Sequence, residues 1–297
     1  MAYGETKVYF DGSHYIAIPK TSRPSVKKKV SNGNIKENKL KNDFEVAFEE
    51  VKGEKKRDKY KKITEKIKEN FPDEKTAKEY VKENMWRKTR NAIYRRKRFI
   101  RKLYLNDWNY FITFTYDGTK LSEEEFRKKL SDCFKKLVSR KNWKYLGVWE
   151  RGSSTGRLHF HGVFYIPDNA MVGELKEVKD YDTRSHKMRK TLQNSYFTKR
   201  FGRNDFSIID NYPNYKNDIA RYLIKYLEKS GEKIISSRNV KGSFYSDIMD
   251  EDILATMGED GKDLKLILAD DFNCWDEGCL MGTVSPEVID QMRKAKI

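Results

Sequence analysis

The character of the sequence changes at Asn109, and this change limits which folds the chain can adopt. Before it, residues 44–104 place Leu, Ile, Val, Phe and Tyr at roughly helical spacing among dense charge, with a break at residues 70–72. After it, residues 109–230 contain short aromatic and β-branched segments between amphipathic segments. The order predicts two helices and then a β-α-β-β-(α)-β-α domain of the α+β class.

Four strands and two helices are predicted in this α+β part. The predicted strands are residues 109–115, 144–150, 158–166 and 206–210. The predicted helices are residues 123–140, with Ser122 as N-cap, and residues 217–229, capped by Asn217 or Asp218. The middle two strands form a hairpin around a Gly- and Ser-rich turn. Residues 168–203 are expected to form a loop and one helix.

Charge is spread unevenly along the 297 residues, whose formal net charge is +17. Basic residues outnumber acidic ones by 30 to 16 in residues 1–108 and by 27 to 16 in residues 109–246, whereas acids lead by 13 to 5 in residues 247–297. Lys and Arg release the counterions that condense on phosphates. We therefore expect a polyanion to bind the two basic blocks. A charge this high is unusual for a generic metabolic enzyme.

These shifts divide the chain into four expected parts. They are a basic mobile arm over 1–42, a basic helical region over 43–108, the α+β domain over 109–246, and an acidic C-terminal tail over 247–297. The arm is expected because residues 20–42 are rich in Lys, Asn and Ser and hold almost nothing apolar.

The chain has no run near the ~20 apolar residues that a membrane span needs, and its first residues lack a signal-peptide pattern. Its three cysteines are too few for a disulfide framework. Cys274 and Cys279 have no second Cys pair or His nearby, so we expect buried thiols and not a zinc site. A cytoplasmic protein without a membrane partner is expected.

Residues 86–102 form the most basic segment, with nine basic residues, no acid, and Trp86, Ile93, Tyr94 and Phe99 interleaved. The basic residues are Arg87, Lys88, Arg90, Arg95, Arg96, Lys97, Arg98, Arg101 and Lys102. This pattern predicts a helix that follows nucleic-acid phosphates. The alternative is the solvated face of a helix in a Lys-rich chain.

Two of the four histidines, His159 and His161, are separated by one residue in a predicted strand, so both imidazoles lie on one face. If the hairpin turn centres on residues 154–155, Glu150 lies opposite His159. Two imidazoles and a carboxylate are a ligand set for a divalent metal. The alternative is that one histidine is a hydrogen-bonded core residue and Glu150 marks a strand end.

Tyr222 and Tyr226 lie four residues apart in a predicted helix, and Lys225 and Lys229 each follow a tyrosine by three. A tyrosine with its ordinary pKa of ~10 is a poor nucleophile. Nearby cations, with a metal that polarises a phosphoryl group, would let it attack phosphate. The alternative is a buried helix stripe in which the lysines cover the apolar rings.

Three motifs occur in a characteristic order. They are FITFTY at 111–116, Glu150 before RLHFH at 157–161, and the helix with Tyr222 and Tyr226. In this order they resemble the HUH endonucleases that initiate rolling-circle replication, and the two-tyrosine helix looks most like the gene A proteins of small single-stranded DNA phages. The resemblance covers about residues 109–230. It implies a central antiparallel sheet of ferredoxin- or RRM-like topology with helices outside.

The resemblance also implies the chemistry of the domain over 109–246. His159 and His161 would hold Mg²⁺ or Mn²⁺, with Glu150 as the matching third ligand. Tyr222 or Tyr226, beside Lys225 and Lys229, would attack a phosphodiester to leave a 5′-phosphotyrosine and a free 3′-OH that primes replication.

The partners implied are single-stranded origin DNA, contacted also by Arg157, and a polymerase of the host. No G-x-x-x-x-G-K-[ST] string occurs in the sequence, so strand separation would need a separate helicase. A relaxase or transposase would use the same chemistry. A regulator that binds DNA without cutting it, and a phosphodiesterase that activates water, are further alternatives.

Overall fold

The computed structural model describes residues 3–20, 35–51, 53–152, 156–182, 186–209, 214–230, 234–259 and 262–294. The chain divides into two compact units. The sheet unit comprises Met1–Ser22 and Arg96–Ile297, and the helical unit comprises Arg23–Arg95. These bounds differ from the four parts expected from the charge distribution.

The fold is of the α+β class with antiparallel sheets, as predicted. The strands are β1 Tyr3–Phe10, β2 Tyr15–Ile18, β3 Tyr110–Thr115, β4 Lys144–Arg151, β5 Leu158–Tyr165, β6 Leu175–Asp182, β7 Lys187–Asn194, β8 Asn204–Ile208, β9 Ile235–Ser236, β10 Phe244–Ile248, β11 Ile253–Glu259, β12 Lys262–Leu268, β13 Asn273–Asp276 and β14 Cys279–Thr283. The helices are α1 Ile35–Glu50, α2 Lys56–Ile67, α3 Glu74–Tyr104, α4 Glu123–Lys141, α5 Ser195–Phe201, α6 Tyr215–Ser230 and α7 Pro286–Lys294.

The helical unit contains α1, α2 and the first part of α3. Its described core is apolar and comes from all three helices, through Phe44, Ala47, Val51, Ile63, Ile67 and Val81. The predicted break at residues 70–72 is present, but a second break separates α1 from α2. A turn around Gly53 makes it, because glycine disfavours the helix interior, and the prediction of two helices over 44–104 missed it.

The domain that carries the histidines is built on a sheet with the order β8-β3-β5-β4-β9 in the described residues. The sheet is antiparallel, and β5 lies in its middle. Helix α4 covers one face through Phe126, Leu130 and Phe134. The predicted cap of α4 is confirmed, because the Ser122 hydroxyl accepts a hydrogen bond from the Glu125 amide. Helix α6 and the end of α3 cover the other face, which we call the histidine face.

Residues 168–203 differ from the predicted loop and helix. Strands β6 and β7 pair as a ribbon apart from both larger sheets, and α5 follows directly. The apolar residues of β6 are spaced by three, so the alternation of apolar and polar residues that reveals a half-buried strand is missing. Helix α6 begins at Tyr215, two residues before the predicted cap, so Asn217 lies in its first turn.

Strands near both ends of the chain form a second sheet, which we call the terminal sheet, and its order in the described residues is β11-β12-β2-β1-β10-β13-β14. Val8 and Ala17 from the first strands are buried with Phe244, Leu266 and Phe272. The expected mobile arm over 1–42 is therefore wrong for residues 3–20, which include β1 and β2, and for residues 35–42, which lie in α1, while residues 21–34 lie outside the described residues. The described part of the acidic segment over 247–297, residues 247–259 and 262–294, is likewise folded and not a tail. The prediction failed because the net charge of a segment gives no information on whether its backbone pairs in a sheet.

None of the described helices combines the length and the apolar character that crossing a membrane requires.

Candidate active site

Strand pairing brings the two histidines, the glutamate and two threonines onto one face. In the β4–β5 hairpin Glu150 pairs directly with His159, the register predicted from the turn centre. On the other side of β5, Thr113 of β3 pairs with His161 and Thr115 pairs with His159. Because alternate strand residues share a face, all five side chains lie on the histidine face.

Both ring nitrogens of His161 have partners. Its Nε2 atom lies 2.9 Å from Oε2 of Glu150, and its Nδ1 atom lies 3.0 Å from Oγ1 of Thr113. An ionised carboxylate only accepts hydrogen bonds, so Nε2 donates to Glu150, and in the neutral ring Nδ1 accepts from the Thr113 hydroxyl. The imidazole ring is buried and fixed at both edges.

His159 is held in a similar way, with Nδ1 lying 3.1 Å from Oγ1 of Thr115. Burial lowers the pKa of His159 to about 4, helped by His161 and by the cations Arg157 and Arg203, while Glu150 acts in the opposite direction. The ring is therefore neutral at pH 7. A neutral imidazole has the lone pair that a metal ligand needs.

The tyrosines of α6 pack against His161. The ring centroid of His161 lies 5.4 Å from that of Tyr226, with nearly parallel planes, and 5.8 Å from that of Tyr222, edge to face. The two tyrosine rings lie 4.8 Å apart. The predicted helix has thus placed both phenols next to the His-x-His strand.

Among the described side chains of α6, those of Ile219, Ala220, Leu223 and Ile224 are buried on the histidine face, and Tyr226 packs partly buried against them. Tyr222 is 42% exposed and Tyr226 is half-buried. Both rings can therefore be reached from solvent, unlike the rings of a purely structural stripe. Lys225 is exposed, whereas the side chain of Lys229 lies outside the described residues.

The three predicted metal ligands lie close together, but two of them, His161 and Glu150, form a hydrogen bond with each other. Within the described residues, no group of three or more His, Cys, Asp and Glu side chains is arranged to hold a metal ion. The Glu150 carboxylate instead accepts a hydrogen bond from Nε2 of His161. The donor chemistry still fits a divalent cation, since two imidazoles and a carboxylate share one face. In the other tautomer Nδ1 carries the proton and donates to the threonine hydroxyl, which makes the Nε2 lone pair available to a metal.

The nine cations of residues 86–102 do not form one phosphate-facing strip. Successive helical residues turn by about 100°, so the nine side chains point around the whole helix. Arg87 and Lys88 form ion pairs with Glu45 in the helical unit. These ion pairs connect α3 to α1, and the role of Arg87 and Lys88 in binding DNA stays a prediction.

The end of the basic segment is also used structurally. Arg101 forms an ion pair with Asp11, and its guanidinium lies 4.0 Å above the Tyr9 ring. Nζ of Lys102 donates to Oγ of Ser236 over 2.6 Å, and burial lowers the pKa of that amine. The remaining cations of the segment are the half-buried Arg95 and the exposed Arg90, Arg96, Lys97 and Arg98. Arg157 is exposed one residue before β5.

Two features of the site were missed at the level of sequence. Thr113 and Thr115 fix the histidine rings, and their spacing of two in FITFTY was a signal that they face the His-x-His strand. Gly147 and Gly162 pair where β4 and β5 approach closely. A Cβ atom on Gly147 would lie 2.5 Å from the His161 carbonyl oxygen. Glycine inside a strand indicates such an approach.

Comparison with known proteins gives a match over the part of the chain that carries this site. Residues 109–231 match the family model of the replication-associated protein ORF2. No curated protein and no solved structure matches the chain. The matched segment runs from the start of β3 to the end of α6 and contains both histidines and both tyrosines. It supports a replication-associated, Rep-like protein.

Proposed function

We propose that this chain is a rolling-circle replication initiator that nicks and rejoins single-stranded DNA at an origin. The reaction proceeds through a 5′-phosphotyrosine and depends on a divalent metal. The observation that carries the proposal is the packing of the Tyr222 and Tyr226 rings against His161. The match to a replication-associated family over the same residues supports it.

His159, His161 and Glu150 would hold Mg²⁺ or Mn²⁺. When bound, the ion polarises the phosphoryl oxygens of the scissile phosphodiester and offsets developing negative charge. The chain's own contribution is to present two imidazoles on one face, and the low pKa of His159 keeps that ring neutral. Hydroxyls at both Nδ1 atoms keep the rings oriented.

The phenolic oxygen of Tyr222 or Tyr226 attacks the phosphorus atom and loses its proton to water, and the departing 3′ oxygen takes up a proton from water in return. A bond forms between that oxygen and phosphorus, and the bond from phosphorus to the 3′ oxygen breaks. The 5′ phosphate stays on the tyrosine, and the freed 3′-OH primes synthesis by a polymerase of the host. The exposed amine of Lys225 follows Tyr222 by three residues and stabilises negative charge, with Lys229 in the same role.

Two tyrosines one helical turn apart allow one to cut while the other still holds a strand. Rejoining is the reverse attack, by a 3′-OH on the phosphotyrosine. Duplex opening is assigned to a separate helicase, because the sequence has no phosphate-binding G-x-x-x-x-G-K-[ST] string.

The experiment is a selection for covalent attachment. A pool of random single-stranded oligonucleotides with a 3′ label is incubated with the protein and Mn²⁺, and adducts are recovered under denaturing conditions. We expect recovery of a recognised sequence attached through its 5′ phosphate, lost in the His159→Ala, His161→Ala variant. Cleavage without adduct would show a phosphodiesterase that activates water. DNA binding with no cleavage would show a regulator.

A further inference from the structure

We propose that a basic groove beside α6 binds the phosphate backbone of the DNA strand that continues past the tyrosines. The inference rests on the proposed function and extends it to a strand-holding site. The groove lies within the sheet unit and measures about 600 Å³. Its lining includes Ser13, Arg96, Tyr104, Asn217, Arg221 and Lys225. The first three of these precede the segment that matches the replication-associated family.

The groove adjoins the candidate active site through α6. Asn217, Arg221 and Lys225 are spaced by four residues, so they form one face of the helix. Arg221 directly precedes Tyr222, and Lys225 directly precedes Tyr226. One helix thus directs its tyrosines toward His161 and its cations into the groove, and a strand held at the tyrosines has the groove next to it.

The charge of the groove suits phosphate. Arg96, Arg221 and Lys225 line it and are exposed. The acid in its lining, Asp11, forms an ion pair with Arg101, so its charge is largely compensated. Cations along an open groove hold the backbone without reading sequence.

The wall opposite α6 is fixed in place. Gly12 adopts φ +93°, and a Cβ atom there would lie 3.1 Å from the Tyr104 ring. Glycine therefore allows the turn between β1 and β2 to approach that ring. The Tyr104 hydroxyl donates a hydrogen bond to the Asn217 side chain. Tyr104 thus connects the terminal sheet, α3 and α6, so the groove is formed before any strand binds.

The groove floor is apolar, through Ile100, Ala220 and Ile224. Cationic walls over an apolar floor match a single strand, whose sugars are apolar and whose phosphates are charged. The occupant is therefore the continuous DNA strand, and a free nucleotide would leave much of the groove unused.

The test measures affinity for single-stranded oligo(dT) of about 10 and about 30 nucleotides by fluorescence anisotropy at several salt concentrations. The groove variant is Arg96→Glu, Arg221→Glu. A control with the same charge change is Lys128→Glu, Lys136→Glu, on exposed positions of α4 at the opposite sheet face. The groove variant should raise the Kd of the long oligonucleotide at least about tenfold and reduce the salt slope, because the protein then neutralises fewer phosphates.

The control should change that Kd less than about threefold, and Arg96→Gln, Arg221→Gln should shift it in the same direction as the charge reversal, by a smaller factor. Equal effects of the groove and control variants on Kd would overturn the proposal. So would a groove variant whose affinity rises as much as that of the wild type between the short and the long oligonucleotide. Covalent adduct is measured on the same samples with the selected sequence. If the groove variant loses affinity but the wild-type protein forms no adduct, the nicking function is refuted and the groove remains a DNA-binding site.

Discussion

The Oγ1 atom of Thr113 lies 3.0 Å from Nδ1 of His161, at the edge of the ring opposite to Glu150. This contact sets the orientation of the ring that packs against both tyrosines. Loss of the hydrogen-bond partner at the second nitrogen of a metal-binding histidine typically lowers metal affinity or activity by roughly 10- to 100-fold.

We therefore expect Thr113→Val, which keeps the shape and removes the hydroxyl, to lower Mn²⁺-dependent nicking about 10- to 100-fold. Thr113→Ser keeps the hydroxyl and should retain most activity. Titrating nicking against Mn²⁺ separates weaker metal binding from a slower reaction. Equal activity of the Val and Ser variants would show that the contact has no role in orienting His161.

Gly147→Ala should damage the site from the backbone side. The new Cβ atom would lie 2.5 Å from both the His161 carbonyl oxygen and the Phe160 ring. Overpacking of this kind costs about 1–3 kcal/mol, so the melting temperature should fall by several degrees and nicking should fall with it.

Gly53→Ala in the helical unit is the control, because nothing lies within 4 Å of its Cβ position. A Gly147→Ala protein as stable as this control would mean that β4 and β5 are not as close as described.

The grouping of His159, His161 and Glu150 on one face could be predicted from sequence, because the spacing of residues determines which face of a strand or helix they share. A His-x-His pair in a strand and two tyrosines four residues apart are local patterns, and the register of a short hairpin follows from its turn. The terminal sheet was not predictable in this way. It pairs residues near position 8 with residues near position 245, and no local pattern reports such a contact.

Charge was the weaker guide. The acidic balance of residues 247–297 suggested a tail, yet that segment supplies Phe272 and Cys274 to a buried core. Likewise, Arg101 and Lys102 belong to the most basic segment of the chain but hold secondary structures together.

The cysteines test whether the C-terminal segment is folded. Cys279 is exposed, contrary to the expectation of a buried thiol, whereas Cys274 and Cys133 are buried. Burial raises the pKa of the Cys274 thiol to about 12. Since the thiolate is the reactive form, brief alkylation at pH 9 should label the exposed Cys279 and leave Cys274 unlabelled.

Mass spectrometry after brief alkylation, with and without denaturant, measures this. Rapid labelling of Cys274 in the native protein would contradict the described terminal sheet.

The basic segment should divide into binding and structural cations. Arg90 and Arg98 are exposed, so Arg90→Glu, Arg98→Glu should weaken DNA binding and reduce the salt slope by about 0.7 for each phosphate that is no longer neutralised. Arg101→Glu should instead lower the melting temperature, because it places two acids together at Asp11. Binding isotherms at several salt concentrations and thermal unfolding separate the two effects. An unchanged salt slope in the first variant would mark those arginines as a solvated surface.

The tyrosine pair gives the most direct test of the account. The measurement is the yield of covalent protein–DNA adduct with Mn²⁺, compared among wild type, Tyr222→Phe, Tyr226→Phe and the double variant. Phe keeps the ring packing against His161 and removes only the attacking oxygen. We expect an adduct through the 5′ phosphate on residues 222–226 in wild type, some adduct in each single variant, and none in a double variant that still binds DNA. Cleavage at the wild-type rate by the double variant would contradict the account.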